Sequence, residues 1–273
     1  MDKVIEILKY LFLGFLQGVC EILPISSSGH LMVAQKMLNI NENATATFTI
    51  LLHFASLLAL LIYFRKVIGQ ILKGIWYYLF KRNKEYKEDF MLAVYVIIAS
   101  IPVGIVGVLF EDKVESIFSN LLFVGISFIF TAFVLLLVSN LKNKGEEKVS
   151  LKSALITGFA QLIGIFPGVS RSGMTMSGAR VSGLEEKKAK EFAFLLFIPV
   201  AFGSFIFSLD DAKVLFSSGS DILILSIISM ISTFIFTYLA LLFIFKKFEN
   251  KHYKYFSIYL VCIGIFTILF SFK

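Results

Sequence analysis

The sequence predicts an all-α polytopic membrane protein with an inverted-topology repeat, each half a re-entrant helical hairpin followed by three transmembrane helices. Three observations lead there. Of the 273 residues 58% are hydrophobic and 16% charged, with a mean hydropathy of +0.85, against roughly 45–50% apolar residues in soluble domains. The apolar residues fall in blocks of about 15–25 between short charged stretches, the length that a helix needs to cross a hydrocarbon layer about 30 Å thick. Finally, a shift of 144 positions brings Gly14, Phe15, Gln17, Ser26, Ser28 and Gly29 onto Gly158, Phe159, Gln161, Ser170, Ser172 and Gly173, and Phe48, Leu51 and Leu52 onto Phe192, Leu195 and Leu196.

Taken in chain order, residues 4–40 form an apolar helix that breaks into a polar Pro/Ser segment and resumes. The apolar run after Met1-Asp2-Lys3 lacks the small-residue cleavage site of a signal peptide, so it belongs to the mature structure. Spans follow near 45–64, 91–110 and 118–139, then a second broken segment at 153–183, then spans near 192–208, 222–245 and 256–272. The whole chain, 1–273, is one membrane domain, with a first repeat at 1–140 and a second at 150–273. Lys and Arg concentrate at Arg65 to Lys87, Lys142 to Lys152, Lys187 to Lys190 and Lys246 to Lys254. The excess of positive charge on cytoplasmic loops places these four on one side and the loops at Asn41 to Ala44, Glu111 to Glu115 and Ser208 to Asp221 on the other. Residues 153–183 then enter and leave on one side, and three crossings per half invert the second half relative to the first. A break in the helix at membrane depth has to be buried in protein or line a wet cavity, and inverted repeats bring such breaks together near the midplane. The net charge of +7 follows from this topology; no basic face with interleaved aromatics points to nucleic acid.

The first break reads Gln17-Gly-Val-Cys-Glu21-Ile-Leu-Pro24-Ile-Ser26-Ser27-Ser28-Gly29-His30. Gln17 and Glu21 are four apart and share a helix face. An acid and an imidazole at membrane depth are costly and mark a functional site. The second break reads Pro167-Gly168-Val169-Ser170-Arg171-Ser172-Gly173-Met174-Thr175. Glycines and hydroxyls ahead of a resumed helix make an anion cradle, and Arg171 adds a fork that fits phosphate oxygens. A carboxylate, an imidazole, hydroxyls and a guanidinium together suit phosphoryl transfer. The nucleophile-elbow pattern G-x-S-x-G is absent, as are Walker, HExxH and CxxC patterns.

Gln17 to Glu21, Pro24 to His30 and Pro167 to Thr175 together resemble the bacterial undecaprenyl-diphosphatase (undecaprenyl pyrophosphate phosphatase, bacitracin resistance protein) family, over essentially the whole chain. The resemblance implies hydrolysis of undecaprenyl diphosphate to undecaprenyl phosphate in the cell membrane, with a divalent cation, Mg²⁺ or Ca²⁺, and bacitracin resistance. Carried onto matching positions, it implies Glu21 and Gln17 as metal ligands and Glu21, Ser27, His30 and Arg171 as catalytic residues. Ser26, Gly168, Ser170, Ser172 and Thr175 are then substrate-binding residues. Gln17 stands where many relatives have glutamate; an amide oxygen still coordinates a hard cation, but a carboxylate pair is ruled out. Attack by Ser27 activated by His30 and attack by a His30-oriented water both stay open. The expected partners are the lipid substrate and membrane lipids, with a homodimer left open and the site opening to the outer face. The competing class is a transporter or flippase of polyprenyl phosphate, since inverted repeats also serve alternating access.

Other polar residues carry less. His53, matched by the repeat to Phe197, reads as a structural imidazole, and His252 as solvated. Asp210 and Asp211 read as surface residues, and Glu185, Glu186 and Glu191 with Lys187, Lys188 and Lys190 as a solvated helix start. Cys20 and Cys262 lie in apolar segments and are expected to be unpaired.

Overall fold

The computed structural model describes residues 3–40, 45–118, 120–141, 145–207 and 220–272. The stretches 41–44 and 208–219, expected as outer loops, with Asp210 and Asp211, and the side chains at 111–115 lie outside the described residues. Within them the chain forms eleven α-helices and a short 3-10 helix, with no strand. The first hairpin is α1 (Lys3–Ile22) and α2 (Ser27–Met37), followed by α3 (Thr45–Tyr63), α4 (Arg65–Phe80), α5 (Lys87–Phe118) and α6 (Leu121–Ser139). The second is α7 (Leu151–Ile163) and α8 (Arg171–Val181), followed by α9 (Glu186–Phe207), α10 (Ser220–Lys246) and α11 (Asn250–Phe270). Five helices are long and apolar enough to span a bilayer, within α5, α6, α9, α10 and α11. The bent pair α3 and α4, which meet at 74°, adds a sixth candidate among the described residues when counted as one broken span. The protein is thus a polytopic membrane protein.

Neighbour relations exchange between the halves as a repeat demands. Helix α1 packs on α10 and α7 on α5; α3 touches α10 and α9 touches α5; α3 meets α9 and α6 meets α11. Helices in a membrane are held by close packing and interhelical hydrogen bonds rather than by expulsion of water, and the α1–α10 contact shows both. Gly14 and Gly18 stand four apart on α1, and a Cβ at Gly14 would lie 2.3 Å from the Ser229 carbonyl oxygen of α10. Across that contact Ser229, Ser232 and Thr233 donate to the carbonyls of Tyr10, Leu11 and Gly14 at 2.7, 3.0 and 3.1 Å. The small residues admit the backbone approach, and the hydroxyls use it.

Two readings of the basic stretches are corrected. The stretch Arg65 to Lys87 is not a plain loop: Arg65, Lys66 and Lys73 share α4 with exposed Leu72, Trp76, Leu79 and Phe80. Exposed apolar residues and cations together on one helix fit a position lying in the membrane interface, and the sharp bend from α3 falls at Phe64, just before Arg65. Lys190 is not solvated but 5% exposed. Its Nζ donates to the carbonyls of Ile244 at 3.2 Å and Phe248 at 2.9 Å, and pairs with Glu186 at 3.2 Å. It supplies the charge and donors that the C-terminal end of α10 lacks.

Substituting Gly14 by leucine forces α1 off α10, and overpacking of this kind costs about 1–3 kcal/mol. Thermal unfolding in detergent should show a lowered midpoint for Gly14→Leu. Gly69→Ala, on α4 with nothing within 4 Å of the added methyl, should leave it unchanged or raise it.

Candidate active site

Each hairpin breaks where its sequence cannot continue a helix. Pro24 follows α1, and Ser26 adopts φ +70° and caps α2 by accepting from the Gly29 N–H at 3.3 Å. In the second half Gly168 has φ +84°, a conformation that favours glycine, and a Cβ there would sit 2.9 Å from Ser127 and Val124. Ser170 caps α8, accepting from the Gly173 N–H at 3.0 Å, while its own N–H donates to Thr131 at 3.2 Å. The residues matched by the repeat, Ser26 and Ser170, therefore both serve as N-caps.

The two breaks meet. The Gly168 N–H donates to Ser28 Oγ at 3.4 Å, and Ser172 Oγ donates to the Leu23 carbonyl at 3.0 Å. Between them lies Glu21, whose side chain is 4% exposed. Arg171 Nη2 donates to Glu21 Oε1 at 2.8 Å, with its guanidinium carbon 4.6 Å from the centre of the Phe197 ring. The other oxygen, Oε2, accepts from the Ser27 hydroxyl and from Gln17 Nε2 at 2.9 Å, and His53 Nε2 lies 3.3 Å from it. The first-turn N–H groups of α2 and α8, which no helical carbonyl can satisfy, open on the same space.

That space is a cavity of about 1740 Å³, larger than the roughly 300–1000 Å³ typical of small-molecule sites. Glu21, Ser26, Ser27, Ser28, Ser170, Arg171 and Ser172 line its polar part. Val103, Gly104, Val108, Pro199 and Phe207 line an apolar part, so a polar head and an apolar tail would each find a matching wall.

The sequence-predicted residues are brought together, Glu21 and Arg171 in direct contact, with two revisions. Ser27 is hydrogen-bonded to Glu21, not to His30. His30, on α2, is buried, its Nδ1 donating to the Ser26 carbonyl at 2.7 Å and its Nε2 2.6 Å from the Tyr259 hydroxyl. Since a carbonyl only accepts, Nδ1 carries the hydrogen. Thr175 donates to the Arg171 and Ser172 carbonyls at 3.0 and 3.2 Å, which fixes the first turn of α8. Sequence reasoning missed Tyr259, one residue in a uniformly apolar span, and undervalued His53, an ionisable residue inside a span and therefore a site candidate on that ground alone.

Among the described residues no group of three or more His, Cys, Asp and Glu gathers as a metal cluster. The donors at hand are the Glu21 carboxylate and the fully buried Gln17 Oε1, which has no hydrogen-bond partner. An orphaned acceptor one helical turn from a carboxylate fits a hard cation that completes its shell with water and substrate oxygens.

An acid and an arginine from opposite halves, joined at the head of an amphiphilic cavity, define an intramembrane centre built for an anionic lipid headgroup. The chain belongs to the bacitracin resistance protein BacA family, whose profile matches residues 10–266. It is 39% identical over 273 residues to undecaprenyl-diphosphatase 2 of Bacillus thuringiensis (strain Al Hakam), covering 99% of this chain and all of that protein. To the undecaprenyl-diphosphatases of Oceanobacillus iheyensis and Treponema denticola it is 38% identical, over 97% and 95% of this chain and 96% of each relative.

Removing one partner of a buried ion pair costs about 3–5 kcal/mol because the other charge is left uncompensated. Arg171→Met should therefore lower the unfolding midpoint strongly, and adding Glu21→Gln to it should recover most of the loss. Thermal melts of the single and double variants check this.

Proposed function

We propose that this chain hydrolyses undecaprenyl diphosphate to undecaprenyl phosphate and inorganic phosphate at the outer face of the cell membrane, and so recycles a lipid carrier and confers bacitracin resistance. One observation carries the reading: Glu21 holds a serine hydroxyl and a guanidinium on its two oxygens, where the N-termini of α2 and α8 converge. The hairpins enter from opposite faces, and the cavity rim at Lys36, Asn39, Asn120 and Ser271 lies at the helix ends that the charge bias assigns to the outside.

The terminal phosphate takes the place beside Arg171 and the first-turn N–H groups of α2 and α8, where fixed donors face the charge that develops on its oxygens. Ser170, Ser26 and Gly168 shape this cradle through the backbone, as caps and as the turn, while Ser172 and Thr175 brace it. Ser27 Oγ attacks the terminal phosphorus while Glu21 takes its proton; an Oγ–P bond forms as the anhydride P–O bond breaks, and undecaprenyl phosphate leaves. Glu21 passes that proton to the oxygen of the departing undecaprenyl phosphate and is a carboxylate again when water cleaves the phosphoserine, taking the water's proton as inorganic phosphate leaves. His30 acts as a positioning residue, holding the Ser26 carbonyl and with it the turn that presents Ser27. A divalent cation, Mg²⁺ or Ca²⁺, held by Glu21 and Gln17, would offset diphosphate charge.

Purified protein in detergent, given a long-chain polyprenyl diphosphate, should release inorganic phosphate, and a chelator should suppress the release. Transport needs two compartments and gives no phosphate there. Arg171→Lys, which keeps charge but loses the fork, should lower kcat by about 10²–10³, and Ser27→Ala by about as much or more. A Ser27→Ala variant with undiminished turnover would remove Ser27 as the nucleophile and leave the direct-water route.

A further inference from the structure

The repeat matches His53 with Phe197, and the two have taken opposite work. Phe197 covers the guanidinium of Arg171. His53, with 24% of its side chain exposed, lines the polar part of the cavity and brings Nε2 to 3.3 Å from Glu21 Oε2. Its Nδ1 lies 2.9 Å from the Thr49 carbonyl oxygen, which only accepts, so Nδ1 carries a hydrogen. Nε2 thus faces a carboxylate oxygen that already accepts from Ser27 and Gln17, and what holds the two together is a positive partner between them, a ring proton or a metal ion. A backbone carbonyl on one ring nitrogen, with the other left free toward a carboxylate, is how proteins hold a metal-binding histidine. Gln17 Oε1, orphaned and fully buried, belongs to the amide whose nitrogen contacts the same carboxylate oxygen.

We propose that His53 Nε2 is a nitrogen ligand of the divalent cation that Glu21 binds, giving a mixed site of one carboxylate, one imidazole and one amide oxygen, completed by diphosphate oxygens and water. The proposal rests on the cation of the preceding section. It separates this chain from an all-oxygen site: imidazole suits the later first-row metals, whereas carboxylate, carbonyl and water suit Mg²⁺ and Ca²⁺. Affinity should then rise from Ca²⁺ through Mn²⁺ to Co²⁺, and the rise should flatten in His53→Gln, which leaves oxygen donors alone.

The test is electron spin-echo modulation spectroscopy of Mn²⁺ bound to the full chain in detergent, with inorganic pyrophosphate as the probe anion. The expected result is a ¹⁴N modulation that changes to the ¹⁵N pattern in protein grown on ¹⁵N-histidine, survives His30→Gln and disappears in His53→Gln. Mn²⁺ affinity should fall about 10–100-fold in His53→Gln, the range known for losing one supporting group at a metal site. Isotope labelling leaves the chain unaltered, so a poorly folded variant does not blunt the test. Bound Mn²⁺ without nitrogen modulation, modulation that persists in His53→Gln, or no Mn²⁺ binding would each overturn the proposal. Phosphate release from polyprenyl diphosphate in the same preparations separates the two readings: release without nitrogen modulation sinks only the ligand, and modulation without release sinks only the hydrolase.

Discussion

Glu21 carries a carboxylate at 4% side-chain exposure, and a charge so placed has to be matched by partners brought within hydrogen-bond distance. The guanidinium that does so, on Arg171, is 150 residues away, on the other half of the chain. Pairing Glu21 with Arg171 therefore requires both hairpins to be broken at the right depth and docked tip to tip. The break itself exposes backbone groups, which the caps at Ser26 and Ser170 and the crossed bonds of Ser28 with Gly168 and Ser172 with Leu23 satisfy. A single electrostatic requirement thus ties together the proline and glycine positions, the serine clusters and the duplication of the chain.

The scaffold around that pair shows where rigidity comes from. Helix α1 cannot shift its carboxylate away from Arg171 without pulling Gly14 and Gly18 off α10, where three hydroxyls bond to α1 carbonyls. The second hairpin is held likewise, since a Cβ at Gly158 of α7 would meet the Ala99 carbonyl oxygen of α5 at 2.6 Å. The charged ends of the site are thus carried on helices locked by backbone-to-backbone approach, so the donors are in place before any ligand arrives, the condition under which fixed dipoles stabilise developing charge without reorganising.

Much of this was legible in the sequence, because length, hydropathy and charge bias report spans directly, and polar residues repeating at one shift report a duplicated break. The site residues were legible because an acid, an arginine and serines at a Pro/Gly break have no cheap structural excuse at membrane depth. What the sequence hid was pairing. Ser27 and His30 are three apart on α2, as neighbours on one helix face are, yet Ser27 turns to Glu21 and His30 to Tyr259, 229 residues on. His53 reads as structural from its repeat partner Phe197, but a repeat conserves backbone position, and the two side chains meet different neighbours. Lys190 looked solvated by composition, but the carbonyls of Ile244 and Phe248 that it serves come from a helix end fixed only by tertiary packing.

Direct contact between Glu21 and Arg171 means that a diphosphate has to take the guanidinium, or share it. This exchange is favourable on simple grounds. A phosphate carries more charge than a carboxylate and offers more acceptor oxygens to the same fork, and beside it stand the N-termini of two helices, whose dipoles favour an anion. Glu21 then loses its partner on Oε1 while Ser27 stays hydrogen-bonded to Oε2, in place to hand over its proton. The ion pair that holds the resting protein together is in this way the same interaction whose release readies the nucleophile, so anion binding and activation of Ser27 are coupled through a single carboxylate.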